Sequence, residues 1–143
     1  MSVSEEGRRE VGILDTNAVI QLARLVAEDL PRKPLTTTVT LAELAVGPLT
    51  APSEAEAAER QSHLQTAEAD FEPLPFDIAA ARAFGRVSAS LRRAGRKSHS
   101  RTYDAMIAAV AVSQGLPLYT CNPRDFTGIE ELELVSVPLP IGD

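Results

Sequence analysis

Val11–Gly12–Ile13–Leu14–Asp15–Thr16–Asn17 decides how the rest of the chain is read. Four mostly apolar residues end abruptly in a carboxylate, a hydroxyl and an amide. A helical pattern follows in Ala18–Val19–Ile20–Gln21–Leu22–Ala23. A short apolar run bounded by polar residues reads as a buried strand. A carboxylate where such a strand gives way to a helix stands at the mouth of an open α/β sheet, where such folds place ligands. The expectation is that the fold brings three later acids, Glu43, Asp104 and Asp125, to Asp15.

Working outward, Thr16 to about Leu30 reads as a helix stopped by Pro31, and Leu35–Val39 as a β-branched second strand. A helix then starts near Thr40, carries Glu43 and ends at Gly47–Pro48. Ser53 with Glu54 and Glu56 opens a helix to about Asp70. Phe71–Phe76 is extended, an edge strand because its prolines cannot donate to a ladder. Asp77 caps a helix through about Ala94 with a stripe of Ile78, Ala81, Phe84, Val87 and Leu91. Tyr103 to Gln114 is apolar nearly all round, so it reads as a buried helix, ended by Gly115. Leu116–Thr120 and Leu132–Val137 read as strands, with a turn at Asn122–Asp125 between them. Strands alternating with helices predict a three-layer α/β/α fold with a central, mostly parallel sheet of four to five strands.

At 143 residues the chain is one domain by length. We expect a loose tail over Met1–Glu10 and a single domain over 11–143. With 44% hydrophobic and 24% charged residues it has the composition of an ordinary globular protein. No apolar run approaches ~18 residues, so no membrane span is expected. The first ten residues lack the apolar core of a secretory signal. A lone Cys121 cannot close an internal disulfide, which fits a reducing cytoplasm.

The net charge of −6 argues against nucleic-acid binding, but its distribution is uneven. Between Asp77 and Asp104 there is no acid, while Arg82, Arg86, Arg92, Arg93, Arg96, Lys97 and Arg101 fall in that span. Such a segment is either a footprint for phosphate or a solvated helix face followed by a loop. With four Phe and two Tyr, a base-stacking platform is not the expected binding mode.

Each acid has a plain structural reading. Asp15 suits a helix N-cap, Thr40-x-x-Glu43 is a capping box, Asp104 suits a cap on its helix, and Asp125 an ordinary turn. Their joint placement says more. Four carboxylates at one sheet edge repel, raising their pKa values. None has a neighbouring His or Lys in sequence. A hard divalent cation, Mg²⁺ or Mn²⁺, is the natural compensation because it prefers oxygen ligands. Cys121 reads as a small buried filler, His63 as solvated, and His99 as part of the basic loop. Ser98–His99–Ser100 lacks the strand–turn–helix setting of a nucleophilic serine.

Leu14–Asp15–Thr16–Asn17, the Glu of Leu41–Ala42–Glu43–Leu44, Tyr103–Asp104–Ala105–Met106–Ile107–Ala108–Ala109, and Leu118 to Phe126 occur in an order that resembles the PIN-domain ribonucleases. Within them the chain is similar to the VapC toxins of bacterial toxin–antitoxin pairs. The resemblance runs from Val11 to about Val137. It implies an endoribonuclease that uses Mg²⁺ or Mn²⁺ for in-line hydrolysis of an RNA phosphodiester and so inhibits translation and growth. Asp15 and Asp104 are then the core metal ligands, and Glu43 and Asp125 complete the cluster directly or through water. Thr16, Asn17, Thr120 and Asn122 lend hydrogen-bonding support. Arg92, Arg93, Arg96, Lys97 and Arg101 are candidates for flanking RNA phosphates. The implied partners are an RNA substrate (tRNA, rRNA or mRNA), a small VapB-type antitoxin covering the acidic pocket, and a second copy of the chain.

Two rivals stand beside this. A haloacid-dehalogenase-type phosphatase uses the equivalent of Asp15 as a covalent nucleophile, but wants a second aspartate where this chain has Asn17. A non-catalytic α/β regulatory or binding module uses the acids only as caps, and predicts that metals neither stabilise the protein nor support cleavage.

Overall fold

The structure, a computed structural model, describes residues 9–96 and 101–140. Met1 to Arg8 of the expected tail lie outside the described residues, as do Lys97 and His99 of the basic segment. Arg9 and Glu10 are already tied in. Their carbonyls accept from the amides of Arg32 and Lys33 at 3.0 and 2.8 Å, and the Arg9 guanidinium pairs with Glu133.

Five parallel strands make one sheet. In chain order they are β1 (Val11–Leu14), β2 (Lys33–Thr37), β3 (Pro73–Leu74), β4 (Leu118–Thr120) and β5 (Leu134–Ser136). Their order across the sheet is β3-β2-β1-β4-β5, with β1 at the centre. The expected mostly parallel sheet is therefore parallel throughout. β3 holds the edge that its prolines suit. Side chains alternate across β1. Ile13 joins Leu35 and Leu118 under α4 (Ile78–Arg93) and α5 (Thr102–Gln114). Leu14 joins Tyr119 under α1 (Thr16–Ile20), α2 (Thr38–Leu49) and α3 (Glu54–Asp70). Two apolar cores on opposite faces of one sheet give the three layers. Burying a residue such as Ile13 or Leu118 completely contributes about 1.5–3 kcal/mol each.

Glycine 12 is dictated by this packing. A Cβ there would stand 2.5 Å from Cε1 of the buried Tyr119 on the neighbouring strand. Gly115 closes α5 at φ +66°, the left-handed cap that a glycine adopts freely. The helix ends at the start of β4, so its N-terminus lies back at the edge where the strands end.

Three expectations need correcting. The helix expected from Thr16 to Leu30 stops at Ile20 and is followed by single 3₁₀ turns at Leu22–Arg24 and Ala27–Asp29. Leu25 and Val26 between them are extended. Apolar spacing alone does not separate a continuous helix from a run of isolated turns. The second helix starts at Thr38 and runs through Gly47–Pro48 to Leu49, where the Gly47 carbonyl accepts from Arg60 at 3.0 Å. On α4 the buried stripe is Ala80, Ala83, Val87, Ser90 and Leu91, while Ile78 is 71% exposed and Ala81 is also exposed. The small side chains of Ala80 and Ala83 let α4 approach α5, whose inner face is itself rich in alanine.

Candidate active site at the carboxyl mouth of the sheet

Because every strand runs the same way, their C-terminal ends share one edge. Asp15 follows β1 there, and its backbone N–H continues the ladder to the Tyr119 carbonyl at 3.1 Å. The side chain is 4% exposed, and both of its oxygens are engaged. Oδ1 accepts from the Ala18 amide at 2.8 Å. Oδ2 accepts from the Thr120 hydroxyl at 2.6 Å. The first bond is the N-cap that the plain reading proposed. The second is not local, since it ties β1 to β4 across 105 residues of chain. Thr120 in turn accepts from the Asn122 amide at 2.9 Å, so one buried hydroxyl aligns the ends of both segments.

Glu43 is not part of a capping box. The N-cap of α2 is Thr37, whose hydroxyl accepts from the Thr40 amide at 3.1 Å. That leaves Glu43 in the second turn, with its carboxylate taking the Thr16 hydroxyl at 2.6 Å. Thr16 Oγ1 is also 3.2 Å from the buried Thr40 Oγ1. These threonines link the start of α1 to α2 from beneath the mouth. The sequence reading took Thr40 for the cap and passed over Thr37, which sits inside a β-branched run that reads as strand.

Asp104 lies in the first turn of α5 but does not cap it, since the residue before the helix is Arg101. Asp125 sits in a 3₁₀ turn at Pro123–Phe126, where Asn122 Nδ2 donates to its Oδ2 at 3.0 Å. The fold thus brings all four acids to one mouth, near enough to feel one another's charge. Burial and then the charges of Asp125, Glu43 and Asp15 push the Asp104 carboxyl up from 3.8 to about 7. Burial also raises Asp15, against the lowering by Thr120 and Ala18 and with a further push from Asp125 and Glu43. The nearby Cys121 thiol is raised by its own burial and by the charge of Asp15. It is half-buried and packs against the second core, in keeping with a filler.

The expected supporting residues divide. Thr16, Thr120 and Asn122 each hold one of the acids, whereas Asn17 is exposed on α1. The expected phosphate-binding residues divide as well. Arg92 is exposed on α4. Arg93 pairs with Glu130 at 3.0 Å. Arg96 is half-buried at the end of the α4 turn. Arg101 points into the acidic mouth, 3.8 Å from Asp104 Oδ2 and in closer contact with Asp125 Oδ1. Its spacing of three residues before Asp104 was a readable signal for that pair.

Chemically, the mouth is an all-oxygen donor set with excess negative charge, the combination that hard divalent cations relieve. Among the described residues, no three His, Cys, Asp or Glu side chains are gathered tightly enough to enclose an ion as they stand. Glu43 is drawn to Thr16, and Asp104 and Asp125 to Arg101. On donor chemistry and charge the residues fit such an ion.

Comparison with known proteins agrees with this geometry. The PIN domain family profile matches residues 12–132. The chain is 40% identical over 129 residues to Ribonuclease VapC5 of Mycobacterium tuberculosis, covering 88% of this chain and 93% of that protein. It is 29% identical over 101 residues to Ribonuclease VapC of Rickettsia bellii, covering 71% and 74%. Among solved structures it is similar to the VapBC-5 toxin–antitoxin system of Mycobacterium tuberculosis. There the TM-score is 0.76 and the identity 38%, over 90% of this chain and 99% of the other.

Proposed function

The chain belongs to the PIN-domain family, and on that premise we propose that it is a VapC-type endoribonuclease, the toxin of a toxin–antitoxin pair, that hydrolyses RNA with the help of Mg²⁺ or Mn²⁺. The observation that carries the reading is the mouth itself. Four carboxylates from four separated segments share one sheet edge, and burial, with their mutual repulsion, lifts Asp104 to about 7. Relatives named as ribonucleases, matched along most of their length, support the same activity.

In this reading Asp15 and Asp104 hold the ion, with Glu43 and Asp125 beside them. A bound divalent cation supplies a polarised water and neutralises charge developing on the phosphoryl oxygens. The chain's own residues do the rest. Thr120 keeps Asp15 in one rotamer, Thr16 steadies Glu43, and Asn122 steadies Asp125. Fixing carboxylates through such outer partners preserves their geometry when charge arrives. The likeness to a toxin–antitoxin system supports a VapB-type partner for this chain.

The test is to map new RNA 5′ ends in cells after a pulse of expression, with Asp15→Ala as control. Discrete new ends with the unaltered protein and none with Asp15→Ala are expected. Identical end profiles for the two proteins would remove the assignment.

A further inference from the structure

Arg101 is badly placed for the helix it precedes. A cation at a helix N-terminus opposes the helix dipole, and Arg101 stands immediately before α5. Its side chain is 44% exposed, yet it turns to the mouth, where the side chains of Asp104 and Asp125 are 24% and 19% exposed. The guanidinium takes Oδ1 of Asp125 and faces Oδ2 of Asp104. The second oxygen of Asp125 is already occupied by Asn122. A divalent ion shared by Asp104 and Asp125 therefore has to draw on carboxylates that the arginine also holds. The planar fork of an arginine suits such carboxylate bridging, and its charge is permanent.

We propose that Arg101 is a built-in competitor of the metal ion: its guanidinium bridges Asp104 and Asp125 and must leave them for a divalent cation to bind. The inference rests on the metal-dependent reading above. It makes Arg101 a positioning residue that sets how much free ion the enzyme needs, and it distinguishes Arg101 from Arg86 and Arg93 of α4, which pair with Glu131 and Glu130. With the arginine in place the two acids are held toward one another across the gap between α5 and the turn after β4. With it displaced, they are free to rotate toward Asp15 and Glu43.

The experiment is isothermal titration of Mn²⁺ into chelator-stripped protein, paired with thermal denaturation in EDTA. Arg101→Gln is expected to tighten the Mn²⁺ dissociation constant by roughly tenfold, the scale of one lost charge-assisted contact. The same substitution lowers the melting temperature in EDTA, because the acids lose their only counter-ion at the mouth among the described residues. Arg101→Lys, which keeps the charge without the fork, falls between. Arg86→Gln removes an equal charge at a remote surface pair and is expected to leave Mn²⁺ affinity within about twofold. Unchanged affinity in Arg101→Gln, with binding otherwise intact, would overturn this inference alone. Equal tightening in Arg86→Gln and Arg101→Gln would overturn it too, by reducing the effect to net charge. Failure of the unaltered protein and both Arg101 variants to bind Mn²⁺ would overturn the metal reading and this inference with it.

Discussion

On the outer face of α4, Arg86 reaches both oxygens of Glu131 at 3.1 and 2.9 Å, and Arg93 reaches Glu130 at 3.0 Å. At the mouth of the sheet, Arg101 pairs with Asp104 and Asp125, two of the four acids Asp15, Glu43, Asp104 and Asp125 gathered there. Both regions are built from acids and arginines, and both have charges within contact distance. On α4 Arg86 and Arg93 each have their own anion, and all four side chains are about half exposed. At the mouth the acids are largely withdrawn from water and outnumber their cation, so Asp104 titrates near 7. The balanced patch is a surface. The unbalanced one stores repulsion that the backbone must hold in place, and only added positive charge relieves it. Natural proteins accept such local destabilisation where chemistry needs it.

The contrast breaks most sharply if one mouth acid is neutralised. Asp104→Asn should cut the rate of RNA cleavage by at least about 10²–10³-fold, a loss typical of removing one strong electrostatic contact to the transition state. Its far-UV circular dichroism should be unchanged, since the residue neither caps α5 nor fills a core. A stability assay sharpens the same point. Between pH 4 and 7 the folded chain keeps a proton on Asp104 that the unfolded chain has lost. The folded state thus binds more protons, and stability falls as pH rises through that window. In EDTA the protein should be less stable at pH 8 than at pH 5, by up to about 2.5 kcal/mol from this group. Asp104→Asn should flatten the slope. Because the ion binds deprotonated carboxylates, millimolar Mn²⁺ should raise the melting temperature more at pH 8 than at pH 5.

A smaller effect is expected one bond away. Thr120→Val removes the donor to Asp15 and the acceptor of the Asn122 amide. It should cost about 1–3 kcal/mol of stability and roughly 10–100-fold in cleavage or metal affinity, readable by denaturant melts and single-turnover rates. On the balanced patch the expectation is smallest. Arg86→Ala should move stability by less than about 1 kcal/mol, as for exposed ion pairs generally.

Much of this was legible before any coordinates. Leu14–Asp15 announced a strand ending in a carboxylate, Asp77 announced the cap of α4, and the alanine-rich run to Gly115 announced the buried α5. What the chain did not disclose were matters of three-dimensional choice. Ile78 looked like part of the α4 stripe, but the approach of α5 favours the smaller Ala80 and Ala83. Glu43 looked like half of a capping box until Thr37 took the cap and left it free to meet Thr16. Thr120 was expected only to lend support, and its bond to Asp15 depends on β1 and β4 being neighbours. Arg101 was grouped with the basic segment because a sequence lists charges along a line, whereas the turn into α5 aims this one at the acids.

The most direct test of the central claim is cleavage of a defined RNA by purified protein, measured in EDTA and again after stepwise return of Mn²⁺. Cutting that is absent in EDTA and recovers with Mn²⁺, in the unaltered protein but not in Asp104→Asn, is the predicted result. Cutting at the same rate in EDTA as in Mn²⁺ would contradict it.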